Sequence, residues 1–191
     1  MNTYEAITTR RSIRAFQDKP ISQELLEKYV NAGRLAPQAA NRQPLEFVAI
    51  DDKELLTFFF DNTKLANYLD WEATKDVMAR GYIVILANKD IQKDRWIPYD
   101  VSLAAENISL AAWEDGIGSC MIGAFNKVKV TEKLKVPENY DVNLVIALGY
   151  PAHHSVAEEI EDDDINYWRD DDGTFHIPKR SLKKVLHFNG F

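Results

Sequence analysis

Residues Pro98 to Asp115 predict a helix with almost no side left for solvent. Pro98 suits a first helical turn, where its missing N–H costs nothing, and Gly116 suits the stop. The polar positions Asp100, Asn107 and Glu114 recur every seven residues, so they form one narrow stripe. Ala104, Ala105, Ala111 and Ala112 let other backbones come close. A helix that is apolar nearly all round must be covered on most sides. In a chain of 191 residues the cover is either the body of a monomeric core or a second copy of the chain.

The flanking segments supply the layers. Ser22 can cap a helix whose apolar residues Leu25, Leu26, Tyr29 and Val30 recur at helical spacing, with Gly33 and Pro37 closing it. Glu46 to Ile50 predicts a strand, followed by a short helix around Leu55 to Phe60. Tyr82 to Leu86 and Val142 to Leu148 are continuous apolar runs of buried-strand length. Helices and strands alternate without repeats or linkers, which predicts one α/β or α+β layered domain over residues 1–191.

Charge narrows the function classes. The net charge is −7, yet residues 158–172 alone carry −8, so the rest of the chain is close to neutral. That balance argues against nucleic acid, which asks for a basic face. Without a run of roughly 20 apolar residues, no membrane span is expected. The single cysteine, Cys120, and the polar start at Met1–Glu5 fit a reducing cytoplasm. The acidic stretch is expected to be a surface loop, as are His153 and His154, whose spacing matches no metal site. The segment from Thr174 to Phe191 reads as an arm that packs on the body or on a partner.

Four segments could carry chemistry. Arg10, Arg11, Ser12 and Arg14 bring three guanidinium groups and a hydroxyl together, and the planar fork of arginine suits phosphate. Pro37, Gln38, Ala39, Asn41 and Gln43 form a loop whose amides can read the edge of a heteroaromatic ring. Gly116 to Gly123, including Met121, Ile122 and Gly123, offers a thin backbone wall; it follows a helix and lacks Gly-Lys-Ser/Thr, so it is neither a Rossmann fingerprint nor a P-loop. Lys179 and Arg180 form a late basic pair. Each also has a plain structural reading, as a turn, a connector, a wall or a solvated tail. Cys120 has no histidine near it in sequence and is not expected to be a nucleophile.

Taken in order, these segments resemble the nitroreductase family over nearly the whole chain. The resemblance rests on Arg10–Arg14 followed by Ala15-Phe16, the loop from Ala36 to Leu45, Gly116 to Gly123, the strand end Gly149-Tyr150-Pro151, and Lys179-Arg180. Two positions depart from the family pattern: Gln38 stands where a small hydroxyl residue is usual, and Leu45 where tryptophan is usual. Lys75 is a further flavin-edge candidate in a segment, Asp61 to Arg80, without clear family motifs; the variable region Asp61 to Trp96 and the tail would set the substrate.

The resemblance implies an α+β fold of three α/β/α layers, with a mostly antiparallel sheet and the long helix at a homodimer interface. It implies FMN as cofactor, NAD(P)H as electron donor and a nitroaromatic, quinone or similar acceptor in a ping-pong cycle. Arg10, Arg11, Ser12 and Arg14 would then hold the phosphate, ribityl chain and pyrimidine edge, with Lys179 and Arg180 adding charge. Pro37 to Asn41 and Gln43 would come from the second protomer, and Met121 to Gly123 would line the ring. Arg14 is the cation expected beside the flavin N1 and O2. No side chain is expected to act as acid, base or nucleophile, because the flavin carries the hydride chemistry. Reductive dehalogenation, flavin fragmentation and a non-catalytic flavin-binding redox protein are the alternatives.

Overall fold

The apolar run Tyr82–Leu86 lies inside the second strand of the main sheet, with both of its faces covered. This computed structural model describes residues 1–65, 71, 73–93, 95–160 and 164–191. The main sheet holds β1 (Leu45–Ile50), β2 (Gly81–Asn88), β3 (Gly118–Ile122) and β4 (Tyr140–Gly149). Its order is β1-β2-β4-β3, and every pairing is antiparallel. Unbroken apolar strands usually mark parallel sheets, because helices cover both faces there. Here an antiparallel sheet is covered in the same way.

The helices are α1 (Thr3–Thr9), α2 (Gln23–Arg34), α3 (Lys53–Asp61), α4 (Ile97–Glu114) and α5 (Lys127–Lys133). Strand periodicity sorts them onto the two faces. Ile83 and Ile85 of β2, with Ile146 and Leu148 of β4, pack on Leu26 and Tyr29 of α2 and on Ala104, Ala105 and Ile108 of α4. Tyr82, Val84 and Leu86, with Val145 and Ala147, pack on Leu56 and Phe59 of α3 and Val130 of α5. The fold is therefore α+β in three layers. Helix starts follow from their caps: Ser22 Oγ accepts from the Leu25 N–H, and Asp52 Oδ1 from the Leu55 N–H. Among the described residues, no helix is long and apolar enough to cross a membrane.

The first two positions of the α4 polar stripe, Asp100 and Asn107, turn inward, while Glu114 at its end is exposed. Asp100 is buried, and its carboxylate accepts from the Ala39 N–H at 2.8 Å and from Gln92 Nε2 at 3.0 Å. Asn107 Nδ2 donates to the Ala32 carbonyl at 3.2 Å. Alongside Arg95, Ser102 and Glu114, α4 and its N-terminal approach expose three large apolar side chains, Trp96, Tyr99 and Leu103.

The C-terminal part corrects the expected acidic loop only in part: Asp164 and Asp170–Asp172 do lie outside helix and strand. Residues Ser155–Ile160 form β5, Trp168–Arg169 form β6 and Phe175–Arg180 form β7, a second sheet of order β5-β7-β6 with β5 and β7 parallel. Glu158 and Glu159 are thus strand residues; acids 161–163 lie outside the described residues. The Glu158 and Asp170 carboxylates bracket His176, at 2.5 Å from Nδ1 and 3.1 Å from Nε2. These partners raise the His176 pKa, Glu158 first and Asp170 second, so part of the acidity serves to pin β5 to β7. The arm begins against the body at the buried Phe175, while a last short helix, α6 (Leu182–Val185), and the residues after it are largely exposed.

Candidate functional site

The arginine segment is locked to β3 and β4 by close backbone approach. The Ile13 N–H donates to the Ser119 carbonyl at 2.9 Å, and Ser12 bridges Ser119. A Cβ on Gly118 would lie 2.6 Å from Ile13 Cγ1, and one on Gly149 would lie 2.6 Å from Phe16 Cδ1. Any larger residue at either position would push the segment away. Three motifs far apart in sequence therefore form one unit: Arg10–Phe16, the strand after Gly116, and Gly149-Tyr150-Pro151.

The guanidinium groups on this unit are only partly satisfied. Arg10 Nε pairs with Glu106 of α4 at 3.1 Å. Arg11 donates to the backbone carbonyls of Thr8 and Arg10, and burial first, then the neighbouring Arg10, lowers its pKa. Arg14 Nε donates to the Leu65 carbonyl at 2.7 Å, and its guanidinium lies 4.9 Å from the Tyr167 ring centre and 5.8 Å from that of Phe175. Arg11 Nε, Arg14 Nη1 and the Ser119 hydroxyl are buried and have no hydrogen-bond partner among the described residues. An unsatisfied buried donor costs about 1–3 kcal/mol, so these atoms call for an acceptor.

The amide loop is held separately, at the N-terminal end of α4. Ala39 to Asn41 form a single 3₁₀ turn anchored on Asp100. Ala40, Asn41 and Gln43 all have left-handed backbone, with φ of 51°, 53° and 53°. Such strain in non-glycine residues gathers at ligand loops. Gln38 Oε1 is buried and has no hydrogen-bond partner among the described residues. Pro37, Gln38, Ala39, Tyr99 and Leu103 line a cavity of about 550 Å³. The anchors of the two clusters on α4, Asp100 and Glu106, are six residues apart, roughly 9 Å of helix rise.

The unpartnered atoms fit FMN. The arginine donors match phosphate oxygens or ring carbonyls, and the Gln38 acceptor matches a ring N–H; the flavin offers all three.

The other candidate residues take these places. Gly116 to Gly123 is mostly strand rather than loop: Met121 faces the α2–α4 side, Ile122 is buried on the α3–α5 side, and Gly123 opens to space. Lys179 and Arg180 are exposed at the far end of β7, paired in register with Glu159 and Ile160. Lys75 pairs with Asp61 at 3.0 Å. Cys120 is buried in the α3–α5 core, and burial pushes its thiol pKa up, away from a reactive thiolate.

The nitroreductase family profile matches residues 7–150, three quarters of the chain. The chain belongs to the nitroreductase family. A protein of Archaeoglobus fulgidus named "Putative NADH dehydrogenase/NAD(P)H nitroreductase" is 37% identical over 82% of this chain and 89% of its own. A nitroreductase family protein from Clostridium novyi NT superposes with a TM-score of 0.69 at 30% identity, over 79% of this chain and 87% of that one. An FMN-dependent nitroreductase from Clostridium difficile R20291 does so with a TM-score of 0.70 at 29% identity, over 98% and 99%.

In this nitroreductase, His153 departs from the expected surface loop. It is half-buried, its ring lies tilted at 40° with its centre 4.4 Å from that of Phe175, and its Nε2 accepts from the Arg14 N–H at 2.9 Å. His153, Ser119, Tyr167 and Phe175 are the residues around the arginines that sequence reasoning did not single out. The contact to Arg14 spans 139 positions, and nothing local to His153 signals it.

Proposed function

We propose that this chain is an FMN-dependent oxidoreductase that works as a homodimer and moves electrons from NAD(P)H to nitroaromatic, quinone or similar acceptors in a ping-pong cycle. The observation that carries this reading is the pair of buried donors without a partner among the described residues, Arg11 Nε and Arg14 Nη1, near Ser119 of β3. Bound FMN supplies the hydride chemistry, so the chain's work is binding, orientation and electrostatics.

Arg10, Arg11, Ser12 and Arg14 bind the phosphate, ribityl chain and pyrimidine edge. Lys179 and Arg180 supply further cations for the phosphate. Arg14 places positive charge where negative charge develops, which is worth most in a site closed to water. Met121, Ile122 and Gly123 form the wall beside the ring. Pro37, Gln38, Ala39, Asn41 and Gln43 close the site from the second copy of the chain. The exposed apolar residues of α4 and α1 support that partner: Trp96, Tyr99 and Leu103, with Tyr4 and Ile7, would otherwise face water. A cytoplasmic setting supplies NAD(P)H.

The kinetic form and the role of the thiol are tested together. Double-reciprocal plots with NADPH and menadione both varied should be parallel. Cys120→Ala should keep most of the turnover, since the buried thiol only fills core space. Intersecting plots would rule out the ping-pong cycle. Loss of turnover in Cys120→Ala with FMN still bound would mean that the thiol takes part.

A further inference from the structure

The family match ends at residue 150, and among the contacts by which the chain beyond it turns back onto the arginine segment is one imidazole. His153 Nδ1 lies 2.9 Å from the His154 carbonyl, which can only accept, so Nδ1 carries the proton. That leaves a lone pair on Nε2, and this atom accepts the Arg14 N–H at 2.9 Å. Both bonds require the same neutral tautomer. The ring is held there by Phe175, whose own ring lies beneath the Arg14 guanidinium.

We propose that His153, as a neutral imidazole, is a positioning residue that sets Arg14 for the flavin, and that its protonation loosens the flavin. The proposal rests on the reading of Arg14 as an FMN ligand. A proton on Nε2 would turn the Arg14 N–H toward another N–H and place a second positive charge beside the guanidinium. Among the described residues, the charged and titratable groups that act on His153 are Arg14 on the N-terminal segment, Arg169 on β6 and His154 next to it in the chain. On β7, the charge of His176 is matched by its own partners, Glu158 and Asp170. Burial, above all, holds the His153 pKa below the ordinary imidazole range; the bond to the His154 carbonyl opposes this, and the neighbouring cations reinforce it.

The sign follows from linkage. Above the His153 pKa the pin is intact, and FMN affinity does not depend on this group. Below it, affinity falls by up to about tenfold per pH unit. The second ionisation of the FMN phosphate, near 6, also weakens binding in acid, but equally for every variant. The decisive comparison is therefore with His153→Gln, whose side-chain oxygen can accept the Arg14 N–H and does not titrate.

FMN dissociation constants should be measured by flavin fluorescence quenching from about pH 7.5 to about pH 5, a span that brackets the ordinary imidazole value. Wild type and His153→Gln should agree at the upper end. Toward the lower end wild type should weaken about tenfold more. His153→Ala should bind weakly throughout. Nitrogen NMR of the wild-type ring should show the Nδ1–H tautomer. Parallel pH profiles for wild type and His153→Gln, or an Nε2–H tautomer, would overturn the proposal while leaving the FMN reading standing. No FMN binding by wild type at any pH would overturn both.

Discussion

Replacing Arg14 with alanine is expected to weaken FMN binding roughly 10- to 150-fold, because a hydrogen bond to a charged group contributes about 1.5–3 kcal/mol and 1.4 kcal/mol is a factor of ten. The reason lies in how the side chain is already used. One donor, Nε, is committed to the Leu65 carbonyl, and Tyr167 and Phe175 cover the guanidinium faces. Nη1 is buried and has no partner among the described residues, so it is preorganised to donate without reorganisation. Arg14→Lys should recover only part of the loss, since an ammonium keeps the charge but cannot reproduce the fork. Fluorescence quenching with FMN, alongside far-ultraviolet circular dichroism to confirm folding, makes the measurement. An unchanged dissociation constant in folded Arg14→Ala would remove Arg14 from the site.

Leu103→Glu is expected to dissociate the proposed dimer and release FMN with it. Leu103 is exposed on the outer face of α4 and lines the cavity beside the Pro37–Ala40 loop. In a two-fold interface the substitution enters twice. Burying an unpaired carboxylate costs several kcal/mol per ion, so the dimer dissociation constant should rise by roughly a thousandfold or more. Sedimentation velocity reads the assembly, and flavin absorbance of the sedimenting species reads the cofactor. A Leu103→Glu dimer with FMN bound would remove this face of α4 from the interface. A folded wild-type monomer carrying FMN would remove the dimer itself.

The parts of the fold legible in the sequence are those with local physics. The Ser22 cap, the helical spacing through Tyr29 and the unbroken runs in β2 and β4 each state their element within a few residues. The direction of the sheet was legible only through the family resemblance, since burial on both faces erases the alternation that usually marks antiparallel strands. β3 looked like a glycine-rich wall because Gly118 answers to Ile13, more than a hundred positions away. The second sheet left no signal either. Its central pairing is parallel and joins Ser155 to Phe175, and its acids suit a loop as well as a strand whose partner supplies His176.

The candidate site divides along the same line. Residue types that suit a phosphate and a ring edge are visible in Arg10–Arg14 and Pro37–Gln43. Which atoms remain free for a ligand is not, because Arg10 is taken by Glu106 and Arg14 Nε by Leu65 only in three dimensions. The inward turn of Asp100 likewise converts an apparent surface stripe into the anchor of the amide loop.

The most direct test of the account is the absorption spectrum of the purified protein, reconstituted with FMN and titrated anaerobically with NADH and then NADPH. The account predicts about one flavin per chain, as in a site built mainly from each chain's own arginines, and loss of the oxidised flavin absorbance on addition of at least one nicotinamide donor. A protein that takes up no flavin from excess FMN, or one whose bound flavin neither donor reduces, would contradict it.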